Sequence, residues 1–201
     1  MLRPVVFADA DVLYSSTLRG WLFNLSEAGA FTLMTTEDVI AEAVGRWRDK
    51  NPTAPGGVTT RMAENIRTLS SVIGEYDCDI PFPGNDKGDT HVHAACVVGE
   101  VEYLVTLDRG FLNMDDSVKD CLKYEIYDID EFLVLVHNQS PMRIRDFTRA
   151  EIRRQVKLKN KPRVAEALTR AGAPKFASLV SKHARSLAGD RPAVYAQQSG
   201  S

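Results

Sequence analysis

An α/β fold around a mostly parallel central sheet is what this sequence predicts, from three observations. Two short apolar runs, Pro4-Val-Val-Phe-Ala8 and Tyr103-Leu-Val-Thr-Leu107, lack polar alternation, as strands covered on both faces do. Helical patterns separate them, in the order strand, helix, helix, helix, strand. Each run also delivers carboxylates at its C-terminal end, Asp9 and Asp11 after the first and Asp108 after the second. In open α/β sheets that edge is where ligands bind.

Taken in order, Leu18, Trp21, Leu22, Leu25 and Ala28 recur at helical spacing after the first strand, with Gly29 as the stop. Phe31-Thr-Leu-Met34 fits a second strand. Thr35 or Thr36 then caps a helix whose first turn holds Glu37 and Asp38, where the helix dipole favours negative charge. Val39, Ile40, Ala43, Val44 and Trp47 form its buried stripe, which leaves Glu42 off the stripe with Arg46 one turn later. Asp49 to Gly57 is dense in Pro, Gly and Asn and reads as a loop. Met62, Ile66, Leu69, Ile73 and Tyr76 predict one further helix, followed by a Pro81/Pro83 loop.

The next stretch organises the chain. Asp86 caps a short apolar helix and Asp89 falls in its first turn. Gly99 ends the helix, and the Tyr103–Leu107 strand follows. Leu122 to Tyr127 fits another strand and Asp130 to His137 another helix. Beyond Ser140, Thr148-Arg-Ala-Glu151 reads as a capping box heading a basic helix; Val164, Ala167 and Leu168 lead to Gly172; and Pro174 opens a helix with Phe176, Leu179, Val180 and His183. The expected division is a core over 1–139, a basic helical extension over 140–190 and a flexible tail over 191–201.

The charge is divided along the same line. Residues 1–140 hold 11 Lys/Arg against 23 Asp/Glu and residues 141–201 hold 14 against 4, so −12 is followed by +10. An acidic region suits cations and a basic one suits phosphates. No signal-peptide pattern or membrane-length apolar stretch is present, so a cytoplasmic protein is expected. Cys78, Cys96 and Cys121 are odd in number and lack C-x-x-C spacing, which predicts reduced, largely buried thiols.

Asp9, Glu42, Asp89 and Asp108 are the acids at element ends, with Asp11 and Asp86 as auxiliaries. Carboxylates gathered at one edge repel unless a cation neutralises them, and hard oxygen donors suit Mg²⁺ or Mn²⁺. Such an ion supports phosphodiester hydrolysis by metal-activated water.

These residues resemble those of PIN-domain nucleases, in particular the toxin ribonucleases of VapBC toxin–antitoxin systems. Val5-Val-Phe-Ala-Asp9-Ala-Asp11-Val-Leu13 is similar to the family's opening strand with its first acid, and Glu42 matches the helix-borne second acid. Asp89-Thr-His-Val-His-Ala-Ala95 is similar to the third-acid helix, and Leu104-Val-Thr-Leu-Asp108-Arg-Gly-Phe111 to the fourth-acid strand. The resemblance spans roughly residues 4 to 136 and leaves the basic extension outside. It departs at Asp11, where many relatives carry a neutral polar residue. It implies a three-layer α/β/α sandwich and a Mg²⁺- or Mn²⁺-dependent endoribonuclease, with Asp9, Glu42, Asp89 and Asp108 as catalytic metal ligands. The implied substrate is structured RNA such as tRNA or rRNA, translation is blocked, and the partner is a cognate antitoxin protein; a homodimer stays open.

Each residue also has a plainer reading. Asp86 completes a cap by itself, Asp11 fits a turn, and Glu42 fits a surface pair with Arg46. His91 and His93 suit the helix surface or groove, since a carboxylate Mg²⁺ site has little use for imidazole. Thr106 either orients a carboxylate or is an ordinary strand residue, and Arg109 either contacts phosphate or balances the acids. Arg149, Arg153, Arg154 and Lys157 are either an RNA-binding or acidic-partner surface or a solvated face. Two other functions stay open. Asp9-Ala-Asp11 also fits the D-x-D motif of haloacid-dehalogenase-type phosphatases, with Asp9 as nucleophile, Asp11 as acid/base and Asp115-Asp116 as a later acidic pair. A non-catalytic RNA- or protein-binding module of the same fold is the other.

Overall fold

The computed structural model describes residues 3–84, 87–158 and 161–189. Five strands, β1 (Val5–Ala8), β2 (Thr32–Thr36), β3 (Ser71–Ile73), β4 (Tyr103–Thr106) and β5 (Glu125–Asp128), form one sheet in the order β3-β2-β1-β4-β5. Every pairing is parallel. Val6, Phe7 and Ala8 are all fully buried; because successive side chains point to opposite faces, helices must cover both sides of the sheet. The result is an α/β/α arrangement with helices α1 (Ala10–Leu13), α2 (Ser16–Glu27), α3 (Glu37–Lys50), α4 (Gly56–Leu69), α5 (Thr90–Val98), α6 (Arg109–Leu112), α7 (Asp116–Lys119), α8 (Ile129–Gln139), α9 (Pro141–Lys157), α10 (Val164–Arg170) and α11 (Pro174–Gly189).

Local signals set several of these boundaries. Thr36 caps α3 by accepting from the Val39 N–H, 3.2 Å away. Gly29, after α2, takes φ +77°, a conformation that strains any residue with a Cβ.

Other expectations give way. The helix predicted through Tyr76 stops at Leu69, and Ile73 instead closes β3, with its Cα opposite Thr36 of β2. Spacing alone cannot separate the end of a helix from a short edge strand that follows it. The expected loop at 49–57 shrinks, because α3 runs to Lys50 and α4 begins at Gly56. The capping box at Thr148 does not exist. Pro141 sits in the first turn of α9, Thr148 is buried mid-helix, and its hydroxyl donates back to the Ile144 carbonyl at 2.7 Å. Asp89 is not inside the first turn of α5 but precedes it, closing a 3-10 turn over Lys87–Asp89. Asp86 lies outside the described residues, as does the expected tail over 191–201. All three cysteines are free, but only Cys96 is buried.

The extension does not fold around a core of its own. Ile144, Val164, Leu168, Ala173, Phe176 and Val180 belong to the same apolar cluster as the sheet. Trp21 of α2 meets Phe147 and Phe176 edge-on, with ring centroids 4.3 and 4.9 Å apart. The buried Asp130 carboxylate accepts from the Lys175 and Phe176 N–H groups, both at 2.8 Å, and so caps α11 from α8. No helix among the described residues is long and apolar enough to cross a membrane.

Candidate functional site

The strand order places the candidate site. From β1 the chain steps to β2 and β3 on one side, then returns to β4 and β5 on the other, so the topological switch point lies between β1 and β4. Ala8 is in register with Val105, which brings the residues after both strands to the same edge. Asp9 and Asp108 emerge there, each capping the short helix that follows.

Asp9 is only 6% exposed, and both of its oxygens are held. Oδ1 accepts from the Ala10 N–H at 2.6 Å and Oδ2 from the Thr106 hydroxyl at 2.8 Å. The Thr106 oxygen in turn accepts from the Asp108 N–H at 2.9 Å, so one buried hydroxyl ties the two strand ends together. Thr106 thus orients the Asp9 carboxylate.

Asp11 sits in the first turn of α1. Its Oδ2 accepts from the Leu107 N–H at 3.0 Å, while its Oδ1 is buried without a hydrogen-bond partner. Burial, and next the Asp9 charge, push the Asp11 carboxyl up to about 7; the Leu107 N–H and Arg46 oppose the shift, and Asp108 adds to it. Asp11 is therefore a member of the acidic cluster as well as a turn residue.

Asp89 and Asp108 converge on Gly110. A Cβ on that glycine would stand 2.9 Å from Asp108 Oδ1 and 3.0 Å from Asp89 Oδ2, so no other residue fits between the two carboxylates without displacing them. The Gly110 N–H also donates to Asp108 Oδ1 at 2.5 Å. Gly110 is a site residue that spacing did not single out; its signal was present only as the glycine two positions after Asp108.

Glu42 reaches this region through two basic side chains. Its Oε2 lies 4.0 Å from Arg46 Nη2 and its Oε1 3.3 Å from His91 Nε2. His91 Nδ1 is 2.8 Å from the Gly88 carbonyl, which only accepts, so Nδ1 carries a proton. His91 is therefore a groove residue. His93 is not on the helix surface as expected. It is 5% exposed, held at Nδ1 by the Tyr124 hydroxyl at 2.9 Å, and burial lowers its pKa. Behind the acids, burial and then the Asp9 charge push the Cys96 thiol up, and burial, Cys96 and Asp89 push the Tyr124 phenol up.

Asp9, Asp11, Asp89, Thr106 and Asp108 thus share one edge, with Glu42 joined from α3. The acids meet pairwise, and no three His, Cys, Asp or Glu side chains among the described residues close into a metal-ligand group. Arg109 is exposed beside Asp108. Arg149, Arg153, Arg154 and Lys157 belong to α9 instead. Arg154 pairs with Glu151 through two bonds of 2.8 and 2.7 Å and Arg149 with Asp146 at 3.2 Å. Asp115 and Asp116 open the short helix α7.

Comparison with known proteins adds a likeness in shape. A crystal structure, that of PAE2754 from Pyrobaculum aerophilum, is similar over 67% of this chain and 96% of its own, at 17% identity and a TM-score of 0.49. No protein-family model matches the chain. A search of curated proteins likewise returns no match.

Proposed function

We propose that this chain is a divalent-metal-dependent endoribonuclease of the kind its PIN-domain resemblance implies. The observation that carries the reading is the convergence of carboxylates from separate segments on the β1/β4 switch point, where burial and next the Asp9 charge push Asp11 up to about 7. An all-oxygen donor set with one buried, unpartnered oxygen on Asp11 suits a hard cation. Asp9, Asp89 and Asp108, with Glu42, would hold Mg²⁺ or Mn²⁺. When bound, the ion lowers the pKa of an attacking water and neutralises charge on the departing oxygen.

The protein's own part is orientation. The Thr106 hydroxyl and Ala10 N–H fix Asp9, the Leu107 N–H fixes Asp11, and Gly110 lets Asp89 and Asp108 approach one another. Arg46 and His91 hold Glu42 toward the cluster. Arg109, exposed next to Asp108, contacts a substrate phosphate. The phosphatase reading has less support, because Asp9 is buried and both its oxygens already accept hydrogen bonds, a poor state for a nucleophile. Under the same reading the chain is a cytoplasmic toxin that cuts structured RNA, stops translation and is held in check by an antitoxin protein.

The test is cleavage of a mixed cellular RNA pool with Mg²⁺, Mn²⁺ or chelator, beside the Asp89→Asn variant. Discrete fragments that require the metal and vanish in the variant are the expected result. Intact RNA in every lane together with turnover of p-nitrophenyl phosphate would sink the proposal and make Asp9 a nucleophile.

A further inference from the structure

The extension carries a groove that the acidic cluster does not use. Between α2, α9 and α10 lies a cavity of about 490 Å³, walled by Trp21, Phe147 and Val164, with Asn24 and Gln155 supplying polar atoms. It shares Arg154, Gln155 and Ala167 with a second hollow of about 530 Å³, into which Lys161, Arg163 and Arg170 face. The two adjoin along these residues and together make a trough. Four cations line it; Arg154 is tied to Glu151 and Arg163 stands 3.8 Å from Glu166, whereas Lys161 and Arg170 have no carboxylate partner among the described residues.

Both ends of the trough lead along the chain toward the acids. Ser16 and Thr17 at its α2 end lie three and four residues beyond Leu13, the last residue of the short helix that bears Asp11. At its α10 end, Arg170 precedes Gly172, where a Cβ would lie 3.7 Å from the side chain of Leu107, whose N–H holds Asp11. At φ +99° Gly172 makes the turn between α10 and α11 at this strand end.

We propose that this trough holds the single-stranded stretch of RNA flanking the bond to be cut. The inference rests on the nuclease reading above for the identity of the substrate. Arg170, Lys161 and Arg163 take backbone phosphates, and the cavity beside Phe147 takes a base, with Gln155 and Asn24 within its walls as donors and acceptors. An aromatic wall with amides suits a base better than an acidic peptide. Arg149, Arg153 and Lys157, spaced four apart along α9, line neither hollow. Of the four trough cations, Arg154 and Lys161 fall in the basic run read from the sequence, and Arg163 and Arg170 lie beyond it.

The test is fluorescence anisotropy with a labelled single-stranded RNA of about a dozen nucleotides, in chelator so that nothing is cut, across a salt series. The charge-reversed pair Lys161→Glu with Arg170→Glu is measured against Lys182→Glu with Arg185→Glu, an equal change on exposed residues of α11. The expected result is that the trough pair weakens binding at least about tenfold and lowers the salt slope by one to two, while the α11 pair does neither. Equal loss in both pairs would mean diffuse attraction and would overturn the proposal. So would capture of a poly-glutamate peptide in place of RNA, or a change only in the protein's mass in solution. Because binding is read in chelator, where no metal-dependent cleavage occurs, a failed nuclease with intact trough binding is distinguishable from a failed trough.

Discussion

The acidic strand edge and the basic C-terminal helices carry opposite charge, and they carry it in physically different ways. At the edge, Asp9 and the unpartnered Asp11 oxygen are buried, and the carboxylates are fixed by backbone N–H groups and one hydroxyl. On α9 the cations are largely exposed, and Arg149 and Arg154 pair with acids three residues away on the same helix. Charge withdrawn from water interacts strongly enough to move a pKa, whereas charge on a solvated face is screened and locally balanced. The first arrangement suits tight binding of a small ion; the second suits an extended polyanion.

The comparison would break most visibly if the extension were an independent body. Phe176 of α11 is fully buried against Trp21 of α2, so Phe176→Ala should cost about 3–5 kcal/mol and destabilise the entire chain. Urea unfolding followed by tryptophan fluorescence and by far-ultraviolet circular dichroism should give one coincident, shifted transition. Two separated transitions, with only the extension affected, would show that the shared core does not act as a unit.

A smaller effect sharpens the acidic side. The folded Asp11 carboxyl titrates near 7 rather than at its ordinary 3.8, so between those values the folded protein holds a proton that the unfolded chain has released. Stability therefore falls as pH rises through that window. Relative to Asp11→Asn, which keeps an acceptor for the Leu107 N–H, the wild type should lose about 2 kcal/mol between pH 5 and pH 8, allowing for solvent screening. Urea melts of both proteins at the two pH values measure it; parallel curves would mean that the crowding of acids is not felt. Mg²⁺ at pH 8 should restore part of the loss if the edge binds it.

The smallest effect belongs to the basic side. Arg154→Ala removes two short hydrogen bonds to Glu151, yet the guanidinium is 62% exposed, so the cost to stability should stay below about 1 kcal/mol and shrink with added salt. A larger, salt-independent loss would place this ion pair among the structural contacts of the core and blur the contrast.

By itself the sequence determined the strands that carry the acids, the order of helices between them and the positions of Asp9 and Asp108 at strand ends. Apolar runs, caps and helix-ending glycines are local signals, written within a few residues of where they act. It misread Ile73 as helical and Thr148 as a cap because a parallel ladder to Thr36 and a helix begun at Pro141 are set by neighbours outside those windows. Tertiary structure alone decided that Asp11 shares burial and charge with Asp9, and that Asp89 and Asp108 meet across Gly110. It also decided that His93 is enclosed and that Gly172, after α10, lies against Leu107 at the end of a strand that leads to the acids. Coulomb energy and desolvation depend on distance and enclosure in space, which residue spacing along a chain does not encode.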